Sequence, residues 1–195
     1  MISVTKNIGL YFGSFNPIHN GHLAIANHLL ESTDLEEVWF VVSPQSPFKN
    51  EDTLLGNDYR YEMVLLAIEN NKRLRACNIE FSLPKPSYTI NTLKALHEKY
   101  PAKNFELIIG ADNLETFDKW KNYEEIINNY RIYVYPRHGS DGGKFSTHPS
   151  VFWIDAPLLD FSSTAIRESI QMEKDVQQLL PSKVLKYIEE MGFYK

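Results

Sequence analysis

Alternation is the feature that most constrains this chain. Short apolar runs of strand length recur along it, separated by stretches with helical spacing. Residues 8–12 (Ile-Gly-Leu-Tyr-Phe) read as a buried strand ahead of turn residues. Leu23, Ile25, Ala26, Leu29 and Leu30 then repeat at helical intervals. Residues 37–43 form a second apolar strand, and 59–70 predict a helix with Met63, Leu66 and Ala67 on one face. A weaker strand is predicted over 74–81. A helix over 89–100 aligns Ile90, Leu93 and Leu96 and stops before Pro101. Strands are predicted at 105–110, 131–136 and 151–155, and helices at 164–171 and 182–191. Strands alternating with helices imply βαβ units, hence an α/β fold with an open, mostly parallel sheet covered by helices on both faces. In such a sheet ligands bind beyond the carboxyl ends of the strands, where the strand order reverses. The segments after Phe12, Ser43, Gly110 and Pro136 are therefore the places to look for chemistry.

Composition excludes several classes. Lys plus Arg number 20 against 25 Asp plus Glu, a net charge of −5, which argues against a nucleic-acid coat. Cys77 is the only cysteine, so neither an intrachain disulfide nor a zinc site built from four cysteines is available. No run approaches the roughly 18 apolar residues that span a bilayer, and residues 1–7 show no secretory signal. A soluble, cytoplasmic protein without membrane or nucleic-acid partners is expected. Residues 43–58 and 137–150, rich in proline or glycine, are the expected mobile stretches.

The segment after the first strand runs Gly13-Ser14-Phe15-Asn16-Pro17-Ile18-His19-Asn20-Gly21-His22 and opens the first helix. Gly13 is expected to permit a sharp turn and close backbone approach. With Asn20 near the helix cap, His19 and His22 can both face the helix mouth, where unsatisfied N–H groups and the helix dipole favour an anion. This is neither a Walker A loop nor Gly-x-Gly-x-x-Gly. A zinc site lacks an evident third ligand at metal spacing, and a histidine pair of this kind is also compatible with a structural role. Further on, Ser162, Ser163 and Thr164 supply cap-type hydroxyls at the start of a late helix, with Arg167 about one turn in.

These two segments together resemble the nucleotidyltransferase superfamily marked by His-x-Gly-His and by Ile-Ser-Ser-Thr-x-Ile-Arg, here 161–167 (Phe-Ser-Ser-Thr-Ala-Ile-Arg). The middle of the chain is similar to bacterial nicotinate mononucleotide adenylyltransferases. Residues 87–93 (Ser-Tyr-Thr-Ile-Asn-Thr-Leu) resemble one of their elements. Gly110, Asp112, Phe117 and Trp120 resemble another, and 179–188 match their Leu-Pro…Tyr-Ile tail. The match runs from about residue 8 to 194. Asn16 replaces the commoner Asp, Ser-Pro-Phe-Lys at 46–49 replaces Pro-Pro-His-Lys, and Lys121 follows Trp120 where some relatives have an aromatic.

The resemblance implies a Rossmann-like domain over 1–195, with C-terminal helices from about 163. It implies transfer of AMP from ATP to nicotinate mononucleotide, releasing pyrophosphate, with Mg²⁺ held mainly by the ATP phosphates. It assigns Gly13, Ser14, Phe15, His19, His22, Ser162, Ser163, Thr164 and Arg167 to ATP. Of these, His19, His22 and Arg167 are the expected catalytic group together with Lys49. Tyr88, Thr89, Asp112, Trp120, Lys121 and Arg137 are assigned to the acceptor. Asp112 is equally compatible with capping the next helix and Trp120 with core packing. Arg60 reads as a solvated helix residue or an ion-pair partner, and His28 and His97 as non-catalytic. An adenylyltransferase for nicotinamide mononucleotide or another phosphate acceptor, and a non-catalytic nucleotide sensor, are the rival readings.

Overall fold

A computed structural model describes residues 6–44, 54–156, 158 and 162–195. Lys49, Phe161 and the middle of the expected mobile stretch 43–58 lie outside the described residues. Among those described, six strands form one sheet: β1 (Lys6–Gly13), β2 (Glu37–Val42), β3 (Leu74–Cys77), β4 (Lys103–Gly110), β5 (Ile132–Tyr135) and β6 (Val151–Trp153). Their order is β3-β2-β1-β4-β5-β6, and each pairing is parallel. The chain builds outward from β1 in one direction, then returns and builds outward in the other. The reversal falls between β1 and β4, so the carboxyl ends of those strands flank the ligand crevice.

The helices are α1 (Asn20–Ser32), α2 (Asn57–Ile68), α3 (Thr89–Lys99), α4 (Ala111–Glu115), α5 (Tyr123–Asn129), α6 (Ser163–Gln171) and α7 (Ser182–Met191). Side chains alternate across a strand, and here the alternation feeds two cores. Val38, Phe40 and Val42 of β2 join Ile25, Leu29, Met63, Ile166 and Val184 on the face covered by α1, α2, α6 and α7. Trp39 and Val41 of the same strand join Ile90, Leu93, Leu96, Leu114 and Ile126 on the face covered by α3, α4 and α5. β2 is buried along its whole length, as a strand covered on both faces must be.

Two departures from the sequence pattern bear on the site. The strand expected over 74–81 stops at Cys77, and a 3₁₀ turn occupies Ile79–Ser82. β3 is the outermost strand and pairs only with β2, so nothing holds its continuation extended. Helices α4 and α5 go beyond the sequence pattern. They span only 5 and 7 residues and each buries two side chains, too few to print a period in the sequence.

Candidate active site

The strand ends and helix starts at the reversal enclose a cavity of about 570 Å³. Gly13, Ser14, Phe15, His19, His22, Ser162, Ser163, Thr164 and Arg167 line it, and so do Tyr88, Thr89, Asp112, Trp120, Lys121 and Arg137. Apart from Lys49, the structure brings together every residue expected at the site.

The histidine pair is built as a helix cap. His19, rather than Asn20, occupies the N-cap of α1; the His22 N–H donates to the His19 carbonyl at 3.0 Å, and the His22 side chain accepts from the His19 backbone. The second of these is one half of a capping box, with an imidazole in place of the carboxylate. The His19 N–H donates to His22 Nδ1 at 3.2 Å. An Nδ1 that accepts leaves the proton of a neutral ring on Nε2, so the hydrogen bond sets the tautomer. The two rings stack with centroids 3.6 Å apart, and Phe15 and Tyr11 meet the His22 ring edge-on at 5.1 and 5.8 Å. His19 is 6% exposed. Burial, then the nearby Arg137 cation, lower its pKa to about 3, so the imidazole is neutral at pH 7.

That shift has a consequence for stability. Below pH 6.5 the unfolded chain protonates His19, whereas the folded chain does not until about pH 3. The unfolded state therefore binds more protons in this window, and stability falls as pH falls through it, by up to about 1.4 kcal/mol per pH unit. The melting temperature is expected to drop between pH 6.5 and 4. His19→Asn, which keeps a cap acceptor, should flatten that arm in a thermal scan across pH. An equally steep arm in the variant would assign it elsewhere.

The loop between β1 and α1 is held by distant parts of the chain. Asn16 Oδ1 accepts from Leu55 N–H at 3.3 Å and from the Tyr194 hydroxyl at 2.7 Å. Ser163 Oγ donates to the Pro17 carbonyl at 2.9 Å, and Arg167 Nη1 to the Asn16 carbonyl at 2.9 Å. Asn20 donates twice, to the carbonyls of Leu179 and Gln178, each at 2.9 Å. Asn in place of Asp at position 16 thus suits a buried acceptor without the cost of a buried charge. Gly13 does not supply the turn. The positive φ (46°) falls on Phe15, which is locked by its ring between Tyr11, Phe40 and His22. What Gly13 provides is space, since a Cβ there would lie 2.9 Å from the Phe15 ring.

Arg60 departs most from its sequence reading. It is fully buried rather than solvated, and among the described residues it meets neutral acceptors rather than a carboxylate. Its guanidinium donates to the carbonyls of Leu55 (2.8 Å), Ser43 (3.0 Å), Pro44 (3.5 Å) and Ser14, and to Asn57 Oδ1 (2.7 Å). It joins the β1–α1 loop to the end of β2. Burial lowers its pKa to about 10, which leaves it cationic at neutral pH. An arginine between two tyrosines near a helix start carries no sequence mark of this role.

At the late helix, Ser162 is the N-cap of α6 and its Oγ accepts from Ala165 N–H at 3.2 Å. Arg167 spends Nη1 on Asn16, and its Nη2 contact to Thr164 Oγ1 is long at 3.4 Å, so the fork reaches the cavity with one arm already committed. Across the crevice, Tyr88 occupies the N-cap of α3 and Thr89 begins it, so the first N–H groups of that helix have no intrahelical acceptor. Lys121 Nζ lies 4.6 Å from the Tyr88 ring centroid. Trp120 is half-buried and leans on Phe117 at 5.1 Å, which supports the indole without removing it from the cavity. Asp112 does not cap the following helix. It is exposed in the first turn of α4, its Oδ1 3.8 Å from Arg137 Nε. Among the described residues no three His, Cys, Asp or Glu side chains cluster closely enough to hold a metal ion, and no helix is long and apolar enough to cross a membrane.

Comparison with known proteins agrees with this geometry. Residues 10–169 match the cytidylyltransferase-like family. The chain is 52% identical over 194 residues to a probable nicotinate-nucleotide adenylyltransferase of Christiangramia forsetii, covering 98% of this chain and 100% of that one. It is 52% identical to the protein of the same name from Flavobacterium psychrophilum, covering 96% and 98%. In three dimensions it is similar to the nicotinic acid mononucleotide adenylyltransferase of Plasmodium falciparum complexed with NaAD (TM-score 0.77, 20% identity, 97% of each chain). A putative nicotinate-nucleotide adenylyltransferase of Vibrio parahaemolyticus is also similar (TM-score 0.74, 21% identity, 97% and 96%). The chain belongs to the bacterial nicotinate-nucleotide adenylyltransferases, within the cytidylyltransferase-like family.

Proposed function

We propose that this chain transfers AMP from ATP to nicotinate mononucleotide, forming nicotinate adenine dinucleotide and pyrophosphate in NAD biosynthesis. The observation that carries this reading is one cavity lined by two unlike sets of groups. One set is the histidine cap of α1 with the hydroxyls and arginine of α6, the other an indole with the open helix start of α3. The first suits a triphosphate, the second an aromatic ring bearing an anion.

The acceptor phosphate has a second pKa near 6 and is mostly dianionic at pH 7. Its oxygen attacks the α-phosphorus in line. The bond from that phosphorus to the bridging oxygen breaks, and pyrophosphate leaves with the electron pair. No side-chain base is needed and no covalent intermediate forms. Positioning and charge stabilisation do the work. His22, with its proton held on Nε2, donates to the α-phosphate. Neutral His19 donates beside it. Arg167, with Lys49, neutralises charge on the leaving pyrophosphate. Ser162, Ser163 and Thr164 add donors at the start of α6, and Gly13, Ser14 and Phe15 cradle the nucleotide. Mg²⁺ would enter with the triphosphate, held mainly by phosphate oxygens, and would neutralise part of their charge.

Trp120 stacks on the pyridine ring, and amides near Tyr88, Thr89 and Lys121 receive its carboxylate. Asp112 holds a ribose hydroxyl or orients Arg137, which meets the acceptor phosphate. Pyrophosphate release measured with ATP, magnesium and either nicotinate or nicotinamide mononucleotide tests this. The acid is expected to be favoured by at least about tenfold in kcat/KM, the worth of one good polar contact. Preference for the amide would overturn the acceptor assignment, and no release with either would overturn adenylyl transfer.

A further inference from the structure

One group in the cavity wall has no part in that scheme. Glu80 lies on the 3₁₀ turn after β3 and is 2% exposed, yet it borders the cavity beside Ser43, Ser87, Tyr88 and Thr89. Thr92 Oγ1, itself fully buried, donates to Glu80 Oε1 at 2.6 Å. Among the described residues Oε2 completes no hydrogen bond of normal geometry, although the Ser43 and Ser87 hydroxyls face the carboxyl closely enough to lower its pKa. Burial outweighs them and pushes the pKa up, toward the neutral form. A buried carboxyl is costly to keep unless its contacts are used.

Those contacts converge on the acceptor end. Thr92 is one turn into α3 and its hydroxyl also approaches the Tyr88 carbonyl at 3.4 Å. Ser87 leads into Tyr88 and Thr89, and Ser43 follows the end of β2. Glu80 therefore ties the 3₁₀ turn after β3 to the first turn of α3 through Thr92.

We propose that Glu80 is a positioning residue for the acceptor nucleotide: through Thr92 it sets the start of α3, from which Tyr88 and Thr89 face the cavity, without touching the nucleotide triphosphate. This rests on the adenylyl-transfer reading above. The test is pyrophosphate release by wild type, Glu80→Ala, Glu80→Gln, Thr92→Val and the Glu80→Ala/Thr92→Val pair, with ATP and nicotinate mononucleotide each varied in turn. Glu80→Ala should raise the acceptor KM about tenfold with the ATP KM within about twofold, as expected for a site-specific loss of binding. Glu80→Gln, whose amide oxygen still accepts from Thr92, should return the acceptor KM to within about threefold of wild type, since glutamine conserves the accepting oxygen. Thr92→Val should move the acceptor KM in the same direction, and the double variant should be no worse than Glu80→Ala, as for residues acting as one unit.

The two KM values rising together, an unmoved acceptor KM, or Glu80→Gln behaving like Glu80→Ala would each overturn the inference. Should Glu80→Ala not fold, Thr92→Val decides: a selective rise in acceptor KM supports the inference, and an unchanged one overturns it. A wild type that releases no pyrophosphate overturns the adenylyl-transfer reading and the inference with it. An active wild type with unmoved constants in the variants overturns the inference alone.

Discussion

His22→Ala is expected to lower kcat for pyrophosphate release by about 10²–10³, the loss that follows removal of one preorganised donor to developing charge. The geometry makes this donor unusually well prepared. The His19 N–H occupies His22 Nδ1, and the ring is clamped between the stacked His19 and the edges of Phe15 and Tyr11. No reorganisation is needed when the α-phosphate arrives. The lost cap partner costs the helix about 1 kcal/mol, so the variant should remain folded and its circular dichroism should match wild type. Steady-state rates at saturating ATP and acceptor give the answer, and a kcat near wild type would remove His22 from the transition state.

The largest stability effect is expected at Arg60. Arg60→Met removes a buried cation whose donors reach five acceptors, leaving carbonyls of Ser14, Ser43 and Leu55 without that partner. A loss of about 3–5 kcal/mol in unfolding free energy is expected, the range for deleting one side of a buried charged hydrogen-bonded group. Urea denaturation measures it. Since Ser14 lines the cavity, catalytic activity should fall before global unfolding. A loss below about 0.5 kcal/mol, typical of an exposed substitution, would mean the carbonyls are satisfied without the guanidinium.

Arg60 also shows where sequence reading ends. Apolar runs announce β1, β2, β4 and β5 because a strand buried on both faces has little choice of residue. The histidine pair and the Ser-Ser-Thr…Arg segment are equally legible as a pattern, because donors clustered at a helix start stand out at fixed offsets. Strand order is not legible, since which runs become neighbours depends on crossovers rather than on any one segment. Nor is the burial of a single polar group. Arg60 and Glu80 are chemically ordinary until carbonyls gather around one and Thr92 meets the other. Phe15 is similar: nothing local announces a left-handed phenylalanine, because its cause is the three rings that enclose it.

The ties that hold the β1–α1 loop have a further consequence, in time rather than in space. The histidines and Asn16 emerge from the ribosome before their distant partners: Asn16 waits 178 residues for the Tyr194 hydroxyl, and Asn20 waits 158 for Gln178. At synthesis rates of about 5–20 residues per second that is a delay of roughly 10–35 s. During it the nascent chain carries His19 and His22 without the distant bonds that seat their loop. The loop therefore gains its full set of ties only after the chain has been made through Tyr194.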